Sequence, residues 1–209
     1  MVENSIQVIL FDLGNVILPF NHYQIGEKLS KLSNHKDFQN PDKIFSYIFD
    51  LEHGIVNPYE EGKISSSEFF KTIREDLRLL ISFNEFQPIW NDIFWENKEV
   101  TELICSLEGK KRLCLVSNTN PMHFDYILSK FPIIKKFEKW ILSYEVGYKK
   151  PSLKIYECAL KWASIKPKHI LFIDDIKKHI DVAISMGMNG ILFKSAEQLK
   201  KELFKYHVI

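Results

Sequence analysis

The chain has little cysteine, no basic leader and no long apolar run, and each absence removes a class of protein. Its three cysteines, Cys105, Cys114 and Cys158, form no Cys-x-x-Cys pair in 209 residues. Three cysteines cannot all be disulfide-bonded to one another, and a reducing, cytoplasmic setting is expected. Cys114 lies in an apolar run and reads as a small core residue. No stretch approaches the roughly 20 apolar residues that a membrane-spanning helix requires. Glu3 and Asn4 precede a short apolar segment that ends at Asp12, without the small-residue cleavage site of a secretory signal. An excess of one charge is also missing. Lys+Arg 28 against Asp+Glu 27 leaves a net +1, so neither nucleic acid nor a membrane is an expected partner. No repeat or low-complexity segment interrupts a composition of 45% hydrophobic and 26% charged residues, which is that of a soluble globular protein.

What the chain does have is a recurring pattern of apolar runs that end abruptly in polar clusters. Ile6 to Leu10 runs into Phe11-Asp12-Leu13-Gly14-Asn15-Val16. Leu113 to Val116 runs into Ser117-Asn118-Thr119-Asn120, and Ile170 to Ile173 runs into Asp174-Asp175. Buried carboxylates are costly unless paired. In an open parallel α/β sheet, ligands bind beyond the carboxyl ends of the strands where strand order reverses, so these three segments are expected to converge on one crevice. Asp12, Asp174 and Asp175 would then share it and repel one another by several kcal/mol. That repulsion calls for a bound cation or an ammonium. Lys150, in Gly147-Tyr148-Lys149-Lys150-Pro151, is the candidate ammonium, and Lys149 reads as a surface lysine.

About a hundred residues separate the first two strand ends, far more than a crossover helix needs. Within that interval Tyr23 to Leu32, Ile44 to Phe49, Ser67 to Leu80 and Phe86 to Phe94 show helical spacing, broken at Pro41, Pro58 and Pro88. Ser65 or Ser66 offers a helix cap. We therefore divide the chain into a core, residues 1–19 and 96–209, and an inserted helical segment, residues 20–95. The core is expected to alternate strands near 112–117, 139–143, 169–173 and 189–193 with helices near 121–130 and 152–163. This is the pattern of an α/β fold with a parallel sheet.

With Asp12, Ser117-Asn118, Lys150-Pro151 and Asp174-Asp175 in this order and spacing, the chain resembles the haloacid dehalogenase superfamily from end to end. Phe11 to Ile17, Ser117 to Asn120 and Phe172 to Asp175 are similar to the subgroup containing alpha-D-glucose-1-phosphate phosphatase and the phosphatase domain of soluble epoxide hydrolases. The resemblance implies a Rossmann-like core with a helical cap over the crevice. Asp12 becomes the nucleophile, a carboxylate that splits one hard displacement into two easier ones through an aspartyl-phosphate. Ser117 and Asn118 would hold the phosphoryl oxygens, and Lys150 would neutralise nucleophile and phosphate. Asp12, Asp175 and the Gly14 carbonyl would bind Mg²⁺, a hard cation suited to oxygen ligands and a substrate phosphate, with Asp174 beside the ligands or one step behind them.

One family residue is missing. Most phosphatases of the superfamily carry a second Asp two residues after the nucleophile as acid and base, and here that position is Gly14. Losing a positioned acid/base typically costs about 10²- to 10⁴-fold, least where the leaving group is already acidic, as in sugar 1-phosphates. The expected activity is thus a Mg²⁺-dependent phosphatase acting on a small phosphorylated metabolite, with sugar 1-phosphates first. Gly14 also permits a 2-haloacid dehalogenase, although Arg74, Arg78 and Arg112 are the only arginines and none follows the first motif closely. A catalytically impaired phosphometabolite-binding protein is the third reading. His22 and His179 are further candidates for the crevice. Phe20, Asn21, His22, Tyr59 and Trp90 are candidates for the specificity surface, with core packing the expected role of the aromatics.

Overall fold

A computed structural model describes residues 5–209. Five parallel strands, β1 (Val8–Phe11), β2 (Arg112–Ser117), β3 (Lys139–Leu142), β4 (Ile170–Asp174) and β5 (Asn189–Leu192), form one sheet in the order β3-β2-β1-β4-β5. The apolar run of β1 carries no polar alternation because both of its faces are covered. Val8 and Leu10 belong to the apolar cluster on one side of the sheet, Ile9 and Phe11 to the cluster on the other. Chain order reverses beside β1, with β2 on one flank and β4 on the other. In register, Phe11 lies opposite both Leu115 and Ile173, so the residues that follow emerge side by side at one edge of the sheet.

The interval after β1 is helical: α1 (Tyr23–Ser30), α2 (Pro41–Phe49), α3 (Val56–Glu60), α4 (Ser66–Asp76) and α5 (Phe83–Asn91) precede α6 (Lys98–Leu107). The prolines do not break these helices. Pro41 opens α2 at a position whose N–H needs no partner, Pro58 lies within α3, and Pro88 lies within α5. The buried side chains Phe86 and Trp90 of α5 hold that helix despite Pro88. Ser65 caps α4 and Ser82 caps α5, each through a reciprocal bond with the Glu three residues on. The second Ser-x-x-Glu was equally readable in the sequence.

These helices surround their own apolar cluster, which includes Ile25, Tyr59, Phe69, Trp90 and Ile93 and admits one residue from beyond the interval, Met122. Met122 belongs to α7 (Pro121–Lys130), which leads from β2 back across the sheet. The remaining helices, α8 (Ser143–Val146), α9 (Leu153–Ala163), α10 (Lys177–Ser185) and α11 (Ala196–Lys205), complete the alternation with strands. No helix among the described residues is long and apolar enough to cross a membrane.

Leu10, wholly buried at the centre of β1, should cost about 2–5 kcal/mol as Leu10→Ala. Leu51→Ser, at a position 94% exposed, should change stability by less than about 0.5 kcal/mol; urea unfolding of both variants checks the contrast.

Candidate active site

Asp12 follows directly on β1, and its backbone N–H donates to the Ile173 carbonyl at 2.9 Å, which ties it to the end of β4. Asp174 ends β4 and is fully buried; Lys150, 3% exposed, arrives on the loop before α9. The Lys150 ammonium lies 2.7 Å from Asp12 Oδ1 and 2.7 Å from Asp174 Oδ2. Asn118, just past β2, holds the loop that delivers it: its Oδ1 accepts from the Lys150 backbone N–H at 2.7 Å and its Nδ2 donates to the Lys150 carbonyl at 3.0 Å. Segments 32 positions apart are thereby locked together.

Asp12, Asp174 and Asp175 each offer an oxygen within 4.8 Å of the others. Three carboxylates and one ammonium leave an excess of negative charge. Burial pushes the Asp12 carboxyl up to about 7, against the pull of Lys150. Burial also raises Asp175. For Asp174 burial acts in the same direction, but Lys150 and His179 outweigh it and hold the carboxyl below its usual range. Lys150 is raised despite its burial by the two carboxylates it bridges.

Asp174 is saturated: besides Lys150 it accepts from the Ile176 N–H at 2.8 Å, and His179 Nδ1 lies 3.0 and 3.1 Å from its two oxygens. Asp175 is less engaged, with Asn15 Nδ2 at 3.2 Å from Oδ2. The Gly14 carbonyl accepts from the Val16 N–H at 2.7 Å and keeps a second lone pair. The oxygens of Asp12 and Asp175, with Asp174 beside them, suit a hard divalent cation, while Asp174 also anchors Lys150. His179, one of the two histidine candidates, touches that anchor.

The turn after Asp12 is tight. Asn15 adopts φ 55°, a left-handed conformation that Asn tolerates. A Cβ on Gly14 would come within 2.6 Å of Phe20 Cε1. The space a second carboxylate would use is filled by an aromatic ring packed 4.4 Å from the His22 ring and 5.8 Å from Phe94.

A narrow cavity of about 40 Å³ lies between the sheet edge and the helices, lined by Gly14, Ser117 and Asn118 and, from the helical side, by Phe20, His22 and Glu60. Of the specificity candidates, Phe20 and His22 reach it. Tyr59 and Trp90 are fully buried in the helical cluster and Asn21 is exposed. Lys149 is a correction: it is not a free surface lysine, since its ammonium bonds Asn57 Oδ1 and Glu60 Oε2, both at 2.7 Å, and ties α3 to the loop carrying Lys150. Glu60 and this tie had no local signal, because Glu60 and Lys149 are 89 positions apart. No arginine lines the cavity among the described residues. Arg112 instead pairs with Glu138 and the Ala163 carbonyl.

The family model of haloacid dehalogenase-like hydrolases matches residues 6–187, and the chain belongs to that family of enzymes. A D-ribitol-5-phosphate phosphatase from Bacteroides thetaiotaomicron is 26% identical over 210 residues, covering 97% of each chain. A haloacid dehalogenase family enzyme from Bacteroides thetaiotaomicron, solved in complex with magnesium and inorganic phosphate, is 30% identical with a TM-score of 0.80, covering 91% of this chain and 96% of that one. A HAD-like family hydrolase from Porphyromonas gingivalis shares the fold, with a TM-score of 0.80 at 23% identity over 96% of this chain and 97% of that one.

Gly14→Ala should destabilise the protein by about 1–3 kcal/mol through overpacking. The cost should shrink in a Phe20→Leu background, a coupling that a double-mutant cycle measured by thermal unfolding would read.

Proposed function

We propose that this hydrolase is a Mg²⁺-dependent phosphatase of a small phosphorylated metabolite, working through an aspartyl-phosphate on Asp12. The observation that carries the reading is the Lys150 ammonium held at 2.7 Å from both Asp12 and Asp174, with Asp175 close by. A buried lysine placed there secures the Asp12 carboxylate and offers positive charge to an arriving phosphate. A dianionic substrate would otherwise meet a cluster of acids.

Asp12, with Asp175 and the Gly14 carbonyl, would hold Mg²⁺, which when bound supplies charge neutralisation to the transferring phosphoryl group. An Asp12 oxygen attacks phosphorus, and the bond from phosphorus to the leaving oxygen breaks. The leaving oxygen takes its proton from solvent water, there being no carboxyl at position 14 to give one. Water then attacks the aspartyl-phosphate, releasing inorganic phosphate and regenerating Asp12. Ser117 and Asn118 line the same cavity as Gly14; the Ser117 hydroxyl and the Asn118 backbone N–H would position the phosphoryl oxygens, the Asn118 side chain being held by Lys150. Residues 20–95 would act as a cap over the crevice, with residues 1–19 and 96–209 as the core beneath it. The free thiols suit a reducing, cytoplasmic setting.

Substrate choice follows from Gly14. Without a carboxylate at that position, a leaving group that departs readily is favoured, which places sugar 1-phosphates first. The relative that acts on D-ribitol 5-phosphate adds polyol phosphates to the class. The dehalogenase reading is disfavoured because no arginine among the described residues lines the cavity and because the Asp174-Asp175 pair beside Asp12 favours a metal.

Purified protein with MgCl₂ should release inorganic phosphate from members of a panel of sugar 1-phosphates, sugar 6-phosphates and polyol phosphates. Asp12→Asn should lower kcat by at least about a thousandfold. Silence across the whole panel would refute the reading, and retained turnover in Asp12→Asn would move the nucleophile elsewhere. Independently of turnover, MgCl₂ should raise the Tm of the wild type, since a ligand bound only by the folded state stabilises it. Asp175→Asn should lose most of that rise.

A further inference from the structure

The cavity above Gly14 is walled largely by rings and aliphatic side chains, and most polar groups that reach it are already engaged. His123 uses both nitrogens, Nδ1 with Asn120 at 3.0 Å and Nε2 with the Trp90 carbonyl at 3.0 Å. Ser117 and Asn118 face the phosphoryl position proposed above. Two groups remain. The His22 imidazole has no hydrogen-bond partner among the described residues, although it sits largely buried among aromatic rings. Its plane lies within 9° of Phe49 at 4.3 Å and within 16° of His123 at 5.9 Å. A ring stacked in this way has its faces taken and keeps its edge, where both nitrogens lie, for polar contact. Glu60 is the second: Lys149 holds its Oε2, while Oε1 has no partner among the described residues.

We propose that His22 and Glu60 recognise hydroxyl groups of the phosphorylated substrate and make the enzyme selective for polyol and sugar phosphates over alkyl phosphates of the same length. The inference rests on the phosphatase reading and adds the residues that choose the substrate. An imidazole edge offers one donor and one acceptor, and the free carboxylate oxygen accepts; alcohol groups satisfy both. With its charge already matched by Lys149, Glu60 calls for a neutral hydroxylated body rather than a second anionic group. Left facing an alkyl chain, both groups would be desolvated without partners, which is how a polar site rejects an analogue lacking its hydroxyls.

The test compares kcat/KM for ribitol 5-phosphate and n-pentyl phosphate, with acetyl phosphate as a substrate that has no hydroxyl to read. The wild type should favour ribitol 5-phosphate by roughly 10- to 100-fold. His22→Phe, which keeps an aromatic ring in the stack, and Glu60→Gln, which keeps an acceptor for Lys149, should each cut that ratio about tenfold. His22→Gln, which restores a hydrogen-bonding edge, should recover part of it. A wild-type ratio near one, or variants that slow both substrates equally, would overturn the inference while leaving the phosphatase reading standing. Failure of the wild type on all three substrates and on the sugar 1-phosphates of the panel above would instead overturn the phosphatase reading and this inference with it.

Discussion

The ammonium of Lys150 is the constraint around which the rest of the site is arranged. A buried lysine is tolerable only when its charge is matched, and here two carboxylates from adjacent strand ends match it. That requirement explains several features at once. The parallel register of β1 and β4 brings Asp12 and Asp174 side by side. The Asn118 side chain clamps the lysine's own backbone in both directions. His179, from the first turn of α10, closes the far side of Asp174. Three strand ends and one loop are thus made interdependent by a single cation.

The same arrangement sorts the acids. Asp174 spends its oxygens on Lys150, His179 and the Ile176 N–H, which leaves it little capacity for anything else. Asp12 and Asp175 are pushed upward by burial, and the neighbouring Asp174 charge acts in the same direction. A neighbouring pair of identical residues, Asp174-Asp175, is divided by environment into an anchor and a candidate ligand.

Much of this was legible in the sequence, for local reasons. Strands with both faces buried are written as unbroken apolar runs, and their polar ends therefore mark the crevice without any structure. The cap of α4 was legible because Ser65 and Glu68 satisfy each other within one turn. What escaped notice depends on tertiary packing. Pro88 reads as a breaker, yet Phe86 and Trp90 pack on either side of it and keep α5 helical. Lys149 reads as a solvated neighbour of Lys150, and only the fold brings Glu60 and Asn57 to it. The division of labour between Asp174 and Asp175 needed the positions of His179 and Asn15, separated from them by 5 and 160 residues.

Phe20 recasts the glycine that first stood out as a missing acid. With the ring 2.6 Å from where a Gly14 Cβ would sit, the position is occupied, and restoring a carboxylate there would require repacking Phe20 against His22 and Phe94. The absence is built into the packing of the helical layer on the nucleophile turn. A single change at position 14 cannot be neutral for position 20, and the aromatic that excludes the carboxylate also forms a wall of the cavity beside the nucleophile turn. In the proposed phosphatase, proton handling and substrate shape would share this one contact. In the phosphatase proposed above, the ring that fills the place of the second acid would turn an apolar surface toward the leaving group, so that the packing of Phe20 and the acidity of the leaving group would act on the same step.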